Sequence, residues 1–206
     1  MKTKGSVFLI LLIVCGALLA FINNHPYEEL ALNHPAPMTE TKMKDVSGKM
    51  LSIASEIREN GILVIFSCNT CPYVKLTENR IKEYADLCLG SKLGCIIINS
   101  NEAQRNEEDS FNEMAKYHKQ LGLNCAYVVD ENSKVANAFG AGRTPQCFLF
   151  NNKNQLVYKG AIDDNVKDAS AVKQAYLRDA ITAVLKGETP VIQETKSIGC
   201  TIKRLD

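Results

Sequence analysis

The chain has no tryptophan and only three histidines among its 206 residues. It also has no second C-x-x-C to accompany the one at Cys68 and Cys71. A structural zinc site needs four ligands. His25 and His34 lie in a proline-bearing stretch and His118 stands alone, so a metal clip has no ligand set to draw on. Charge of one sign is missing too. The net charge is +1 and no basic face stands out, which argues against nucleic acid as the main partner. There is no internal repeat and no low-complexity tract.

What remains is ordinary globular composition, 46% apolar and 23% charged. A chain this long can bury a real core without staples. One domain plus an appendage is the natural expectation. Eight cysteines exceed the average but fall far short of a disulfide framework.

The appendage is the N-terminus. Met1-Lys2-Thr3-Lys4 is a short basic region, and Val7 to Ile22 is an uncharged run. As a helix that run would reach ~24 Å, against ~30 Å for a hydrocarbon core. It is short for a membrane span and slightly long for the apolar core of a signal sequence. A cleavage site after Ala20 would place Leu18, which is not small, at the minus-three position. A lipoprotein reading of Cys15 meets Val14 where a small residue is wanted, and a buried N-terminal helix is the plain alternative. We read residues 1–24 as a signal peptide or membrane anchor. Either exports the rest of the chain, with the N-terminus held inside by its basic residues. The domain then works outside the cytoplasm, in the periplasm or cell envelope, where disulfides persist.

Residues 25–35 read as a linker, 36–189 as the domain and 190–206 as a C-terminal tail. Two weak strands flank a turn at Ser47-Gly48. Ile62 to Phe66 is a continuous apolar run of strand length, expected to be buried on both faces. Val74, Ile81, Tyr84, Ala85 and Cys88 then recur at helical spacing. Cys95 to Asn99 is a second buried strand. In the next helix Phe111, Met114, Ala115, His118 and Leu121 form the stripe, and Gly122 stops it. The acidic run Glu107-Glu108-Asp109 is expected as a solvated cap at the start of that helix. "AYVVD" is a short apolar segment before a turn at Glu131-Asn132. "CFLFN" and "QLVYKG" form a hairpin across Asn151 to Asn154. Leu177, Ala180, Ile181 and Val184 mark a last helix ending near Gly187. Buried strands alternating with helices define an α/β fold with a mixed sheet and helices on both faces.

The cysteine pair carries the chemistry. A bridge closing so short a loop removes little chain entropy and would be a poor staple. Placed between a central strand and a helix, it suits redox exchange instead. A thiolate at a helix N-terminus is stabilised, and its pKa falls. Pro72 is tolerated in a first helical turn. On this reading Cys68 sits at the helix start, exposed and acidic, as the attacking thiol, and Cys71 inside the first turn resolves.

The stretches "CNTCPYVK", "IIINSN", "FNEMAK", "VVDENSKVANAFGAGRTPQCFLFN", "LVYKGAIDDN" and "TKSIGCTIK" follow one another in order. Together they resemble the peroxiredoxin-like, AhpC/TSA-type redoxin branch of the thioredoxin superfamily that carries a CxxC. The resemblance spans residues 36 to 203. It implies a thioredoxin fold, a central mixed sheet flanked by helices, with a peroxiredoxin-like N-terminal strand extension. It implies Thr144-Pro145 as the cis-proline loop that lies against the CxxC and offers backbone to a substrate strand. It implies an enzyme, a thiol-disulfide oxidoreductase acting on a protein disulfide or small-thiol substrate, re-reduced or re-oxidised by a thiol partner. No organic cofactor or metal is implied.

Two departures qualify it. Ser67 stands where thioredoxins usually place Trp, and the strand before the pair lacks their buried acid, so any base comes from elsewhere. Specialised relatives of the TlpA and ResA type fit better than a general reductase. The rival is a thiol peroxidase. In the peroxiredoxin motif P-x-x-x-[ST]-x-x-C, a peroxidatic Cys71 would put Cys68 at the hydroxyl position, but Val64 stands where the proline belongs. Arg143 could supply a cation. A second rival is a binding module that keeps the fold without the chemistry. Cys88 and Cys95 are either a bridge or buried thiols. Cys125 and Cys147 read as core. Cys200 sits in the polar tail as an auxiliary candidate. Forming the Cys68–Cys71 pair would leave an odd number of other thiols in the exported domain.

Overall fold

The structure is a computed structural model and describes residues 27–205. The signal or anchor reading of residues 1–24, with Cys15 and His25, lies outside the described residues. Among the described residues no helix is long and apolar enough to cross a membrane.

The apolar runs do form the middle of a sheet. Strands β1 (Met43–Asp45), β2 (Met50–Leu51), β3 (Ile62–Ser67), β4 (Gly94–Asn99), β5 (Ala126–Val129), β7 (Gln146–Phe150) and β8 (Leu156–Gly160) make one sheet of order β2-β1-β5-β4-β3-β7-β8. A separate ribbon pairs β6 (Arg143–Thr144) with β9 (Cys200–Thr201). β3, β4 and β5 run parallel, and β7 runs antiparallel to β3 and β8, so the sheet is mixed. Every residue of β3, β4, β7 and β8 is buried, which is why those runs lack polar alternation. The short "AYVVD" segment becomes β5, an interior strand against β4.

Helices cover both faces. α2 (Pro72–Gly90), α3 (Phe111–Leu121) and α5 (Tyr176–Leu185) lie on one side, through Val74, Ile81, Tyr84, Met114, Tyr117, Leu177 and Ile181. α1 (Ile53–Glu56) and α4 (Lys134–Phe139) lie on the other, through Ile53, Val135, Ala136 and Phe139. α1 starts with a capping box between Ser52 and Ser55. α3 ends at Gly122, whose φ of 63° places it in the left-handed region that glycine tolerates. Its buried stripe centres on Met114 and Tyr117, with His118 half-buried and its Nε2 2.9 Å from the Cys125 carbonyl.

Three expectations change. Helix α2 begins at Pro72 with Cys71 as its N-cap, not at Cys68. Proline is preformed for the first helical position, and it sets the start there. The acidic run precedes α3 instead of opening it, and Asp109 is fully buried. The linker and tail carry little regular structure yet are docked. Leu30 N donates to Phe139 O, and Asn33 N and His34 O bond to Leu156, while Thr195 N and Gln193 O bond to Lys159.

Candidate active site

β3 and α2 converge on the cysteine pair, and the Thr144-Pro145 loop faces it. That peptide bond is cis. Gln146 holds the loop, its Oε1 accepting from Gly142 N at 2.8 Å and Arg143 N at 3.1 Å. Thr144 touches both thiols. Cys71 Sγ lies 3.1 Å from Thr144 O, and Cys68 Sγ lies 3.4 Å from Thr144 Oγ1. Sequence spacing alone did not place these residues together; the register of β3 against β7 does.

The two thiols differ in their surroundings. Both are buried, at 1% exposure for Cys68 and 4% for Cys71. The two sulfurs also hydrogen-bond to each other. That bond, burial and the Asp109 carboxylate all push the Cys68 thiol far up. The bond from Cys68 brings Cys71 down to about 4; burial opposes this, while contacts with the Cys200 side chain and the Val74 and Cys200 N–H groups assist it. A sulfur at the mouth of a 19-residue helix faces the positive end of its dipole. Because the helix begins after Cys71, its dipole acts most directly on Cys71, whose S–H donates to Thr144 O.

The acid missing from β3 arrives from the turn before α3. Asp109 Oδ1 accepts from Asn69 N and Asn99 Nδ2, and its Oδ2 from Asn101 Nδ2, each at 2.8 Å. Tyr127 Oη donates to Asn69 Oδ1 at 2.8 Å. This buried net fixes the Asn69-Thr70 link between the cysteines and sets a negative charge near Cys68. Sequence reading missed Asp109, Asn99, Asn101 and Tyr127. Nothing local marks them, since they meet only when β4, β5 and the turn pack together.

Other named candidates separate from the thiols. Arg143 is exposed and its guanidinium bonds to Gly199 O at 3.3 Å and Thr201 Oγ1 at 3.2 Å, on the tail. Cys147 is fully buried on β7. Cys88, Cys95 and Cys125 are free thiols, with Cys95 hydrogen-bonded to both neighbours. Cys200 lies against Cys71. No group of residues suited to a metal ion occurs among the described residues. Beside the CxxC lies an open cleft of about 540 Å³, lined by Asn69, Thr70, Lys75, Glu113, Lys116 and Tyr117.

A strand-to-helix cysteine pair facing a cis-proline loop on a mixed sheet defines the thioredoxin-fold redox proteins. Residues 32–175 match the family model described as Redoxin, and the chain belongs to that family. A hypothetical protein of Sinorhizobium meliloti is similar in structure, with TM-score 0.79 and 32% identity over 86% of this chain and 97% of that one. A conserved protein of Geobacillus kaustophilus has TM-score 0.79 and 29% identity over 85% and 93% of the two chains. Peroxidoxin BcpB of Mycobacterium tuberculosis shares the fold, at TM-score 0.58 and 11% identity over 77% and 98%. No curated protein matches the chain.

Proposed function

We propose that the protein is an exported thiol-disulfide oxidoreductase that uses Cys68 and Cys71 as a dithiol/disulfide couple. The supporting observation is the contact of both thiols with Thr144 beside the cis bond, at the mouth of α2. Against the sequence expectation of Cys68, we assign the attacking role to Cys71, the sulfur at the N-cap of α2. Cys71 thiolate attacks a substrate disulfide; the substrate S–S bond breaks and one substrate sulfur leaves. Cys68 then gives up its proton and attacks Cys71 Sγ, and the second substrate sulfur leaves. The Cys68–Cys71 disulfide has formed, and the single proton has passed to the released substrate thiols. Thr144 and Pro145 offer the strand edge on which a peptide substrate lies. A thiol partner resets the couple.

The direction of net flow follows from the reduction potential, which in this fold spans roughly −270 to −120 mV. Export rests on the basic start and apolar run of residues 1–24; the same run is the membrane contact if it is retained. The test is reduction of a disulfide-bonded protein by the full chain in mild detergent with dithiothreitol as donor. Cys71→Ser should abolish turnover, and Cys68→Ser combined with Cys200→Ser should trap a mixed disulfide on Cys71. Retention of thiol-dependent peroxide consumption by Cys68→Ser, with no disulfide exchange by the wild type, would establish the peroxidase reading instead. That rival gains from the acidified Cys71 and loses from Arg143, which is engaged with the tail.

A further inference from the structure

The strand edge beside the cis bond is already occupied by the chain's own tail. β9 pairs antiparallel with β6, setting Cys200 opposite Thr144 and Thr201 opposite Arg143. The approach is very close at Gly199. A Cβ there would stand 2.2 Å from Thr144 O and 2.7 Å from its carbonyl carbon, so only glycine lets the tail lie down.

The segment is pinned on both sides of the cysteine. Before it, Thr195 N donates to Lys159 O at 3.0 Å and Thr195 Oγ1 accepts from Ala161 N at 2.9 Å. After it, Ile202 is buried at 3% exposure, Lys203 N donates to Asn101 Oδ1 at 2.9 Å, and Arg204 Nη2 donates to Ala141 O at 2.6 Å. Between these anchors the Cys200 side chain is hydrogen-bonded to Cys71 and receives the Tyr73 N–H in the first turn of α2. Cys71 thus has a thiol on either side, Cys68 within the loop and Cys200 on the tail.

We propose that Cys200 is a third redox thiol, carried on an internal substrate strand, that exchanges with the Cys68–Cys71 disulfide through Cys71. The proposal rests on the couple proposed above. Cys200 loses its proton and attacks Cys71 Sγ; the Cys68–Cys71 bond breaks, the Cys71–Cys200 bond forms, and Cys68 leaves and takes up a proton. The net change moves one proton from Cys200 to Cys68 and one oxidising equivalent from the buried loop to the tail, with no outside oxidant. Two further features favour the step. Cys71 is next to Cys200. Cys200 is half-buried while Cys68 is sealed, so the tail disulfide is the one a partner thiol reaches. The partner attacks Cys200 Sγ and releases Cys71 as the thiolate.

The test is disulfide mapping of the full chain, held in mild detergent and poised in dithiothreitol redox buffers, with acid quenching, alkylation and peptide mass analysis. The wild type should show a Cys71–Cys200 disulfide in equilibrium with Cys68–Cys71. Cys68→Ser treated with oxidised dithiothreitol should convert to Cys71–Cys200. Gly199→Ala, which leaves all thiols in place, should lower the yield of that disulfide by about tenfold or more, because the opposing atoms are backbone and cannot yield as a flexible side chain would. Cys200 remaining fully alkylatable in the wild type under every condition, while Cys68–Cys71 cycles reversibly, would overturn the third-thiol proposal and leave the couple standing. Absence of a Cys68–Cys71 transition in Cys200→Ser would overturn the couple itself.

Discussion

The two faces of the central sheet are built from different chemistry. On the face of α2, α3 and α5 lie Cys68, Cys71, Cys88, Cys95 and Cys147, with Tyr84, Tyr117, Tyr127 and Tyr158. On the face of α1 and α4 lie Phe66, Phe139, Phe148 and Phe150 with aliphatic neighbours, and among the described residues no buried cysteine or tyrosine joins them. The phenylalanines meet edge to face, with Phe139 centred 5.3 Å from Phe66 and 5.2 Å from Phe148. Such pairs add stability without a polar atom to satisfy. The other face accepts polar tips and the hydrogen bonds they require, because polar groups near the thiols tune their ionisation. One side is a dry anchor and the other a place for sulfur chemistry. The tail joins them: Ile202 sits in the phenylalanine core, and Cys200 packs against the thiol side.

The largest effect should come from the anchor. Phe139→Ala removes the hub of the aromatic cluster and should cost about 3–5 kcal/mol, read as a lower urea midpoint with unchanged slope. The Cys68–Cys71 potential should stay where it is. A shift beyond about 30 mV would mean the two faces are coupled.

A middle-sized effect is expected on the thiol side. Asp109→Asn removes a charge from a net of three donors and should cost about 1–3 kcal/mol. Its distinguishing sign is ionisation: without the carboxylate, the Cys68 alkylation profile should move to lower pH. An unmoved profile would reduce Asp109 to a purely structural role.

A third test is the pH dependence of the reduced protein. Cys71 falls from an ordinary 9.0 to about 4, so between those values the unfolded chain binds a proton that the native state does not. Its stabilising contribution is therefore complete above pH 9.0 and is lost as pH falls toward about 4. Cys68 is shifted upward and works the other way, its contribution present below 9.0 and lost at higher pH. Denaturant titrations across pH should show reduced wild type gaining on Cys71→Ser from about 4 toward 9. Parallel curves would refute the assigned thiolate. The smallest effect should follow Glu83→Gln, which unpairs Arg178 on the outer side of α2 and α5. Both side chains are well exposed, and neither the melting temperature nor the potential should change measurably.

Much of the scaffold was legible along the chain. Ile62 to Phe66 and Cys95 to Asn99 read as buried strands because they are, and Gly122 and Gly187 stop the helices that precede them. β5 was harder, since four apolar residues before a turn carry no period; only its place beside β4 makes it a strand. Asp109 was misplaced for a related reason. An acid ahead of a helix looks like a solvated cap, and its burial is imposed by Asn69, Asn99 and Asn101 closing over it.

The sequence by itself determined that a cysteine pair would sit between a central strand and a helix, because hydrophobic period and Pro72 are local signals. It also determined a thioredoxin-type layout through the order of its motifs. The tertiary structure decided what surrounds each sulfur, because that depends on where α2 begins and on the Asp109 carboxylate brought in from the turn before α3. It also decided that a polar tail would lie along the cis-proline edge with Cys200 against Cys71. Contact between Gly199 and Thr144 is a matter of packing in space, and no spacing along the chain encodes it.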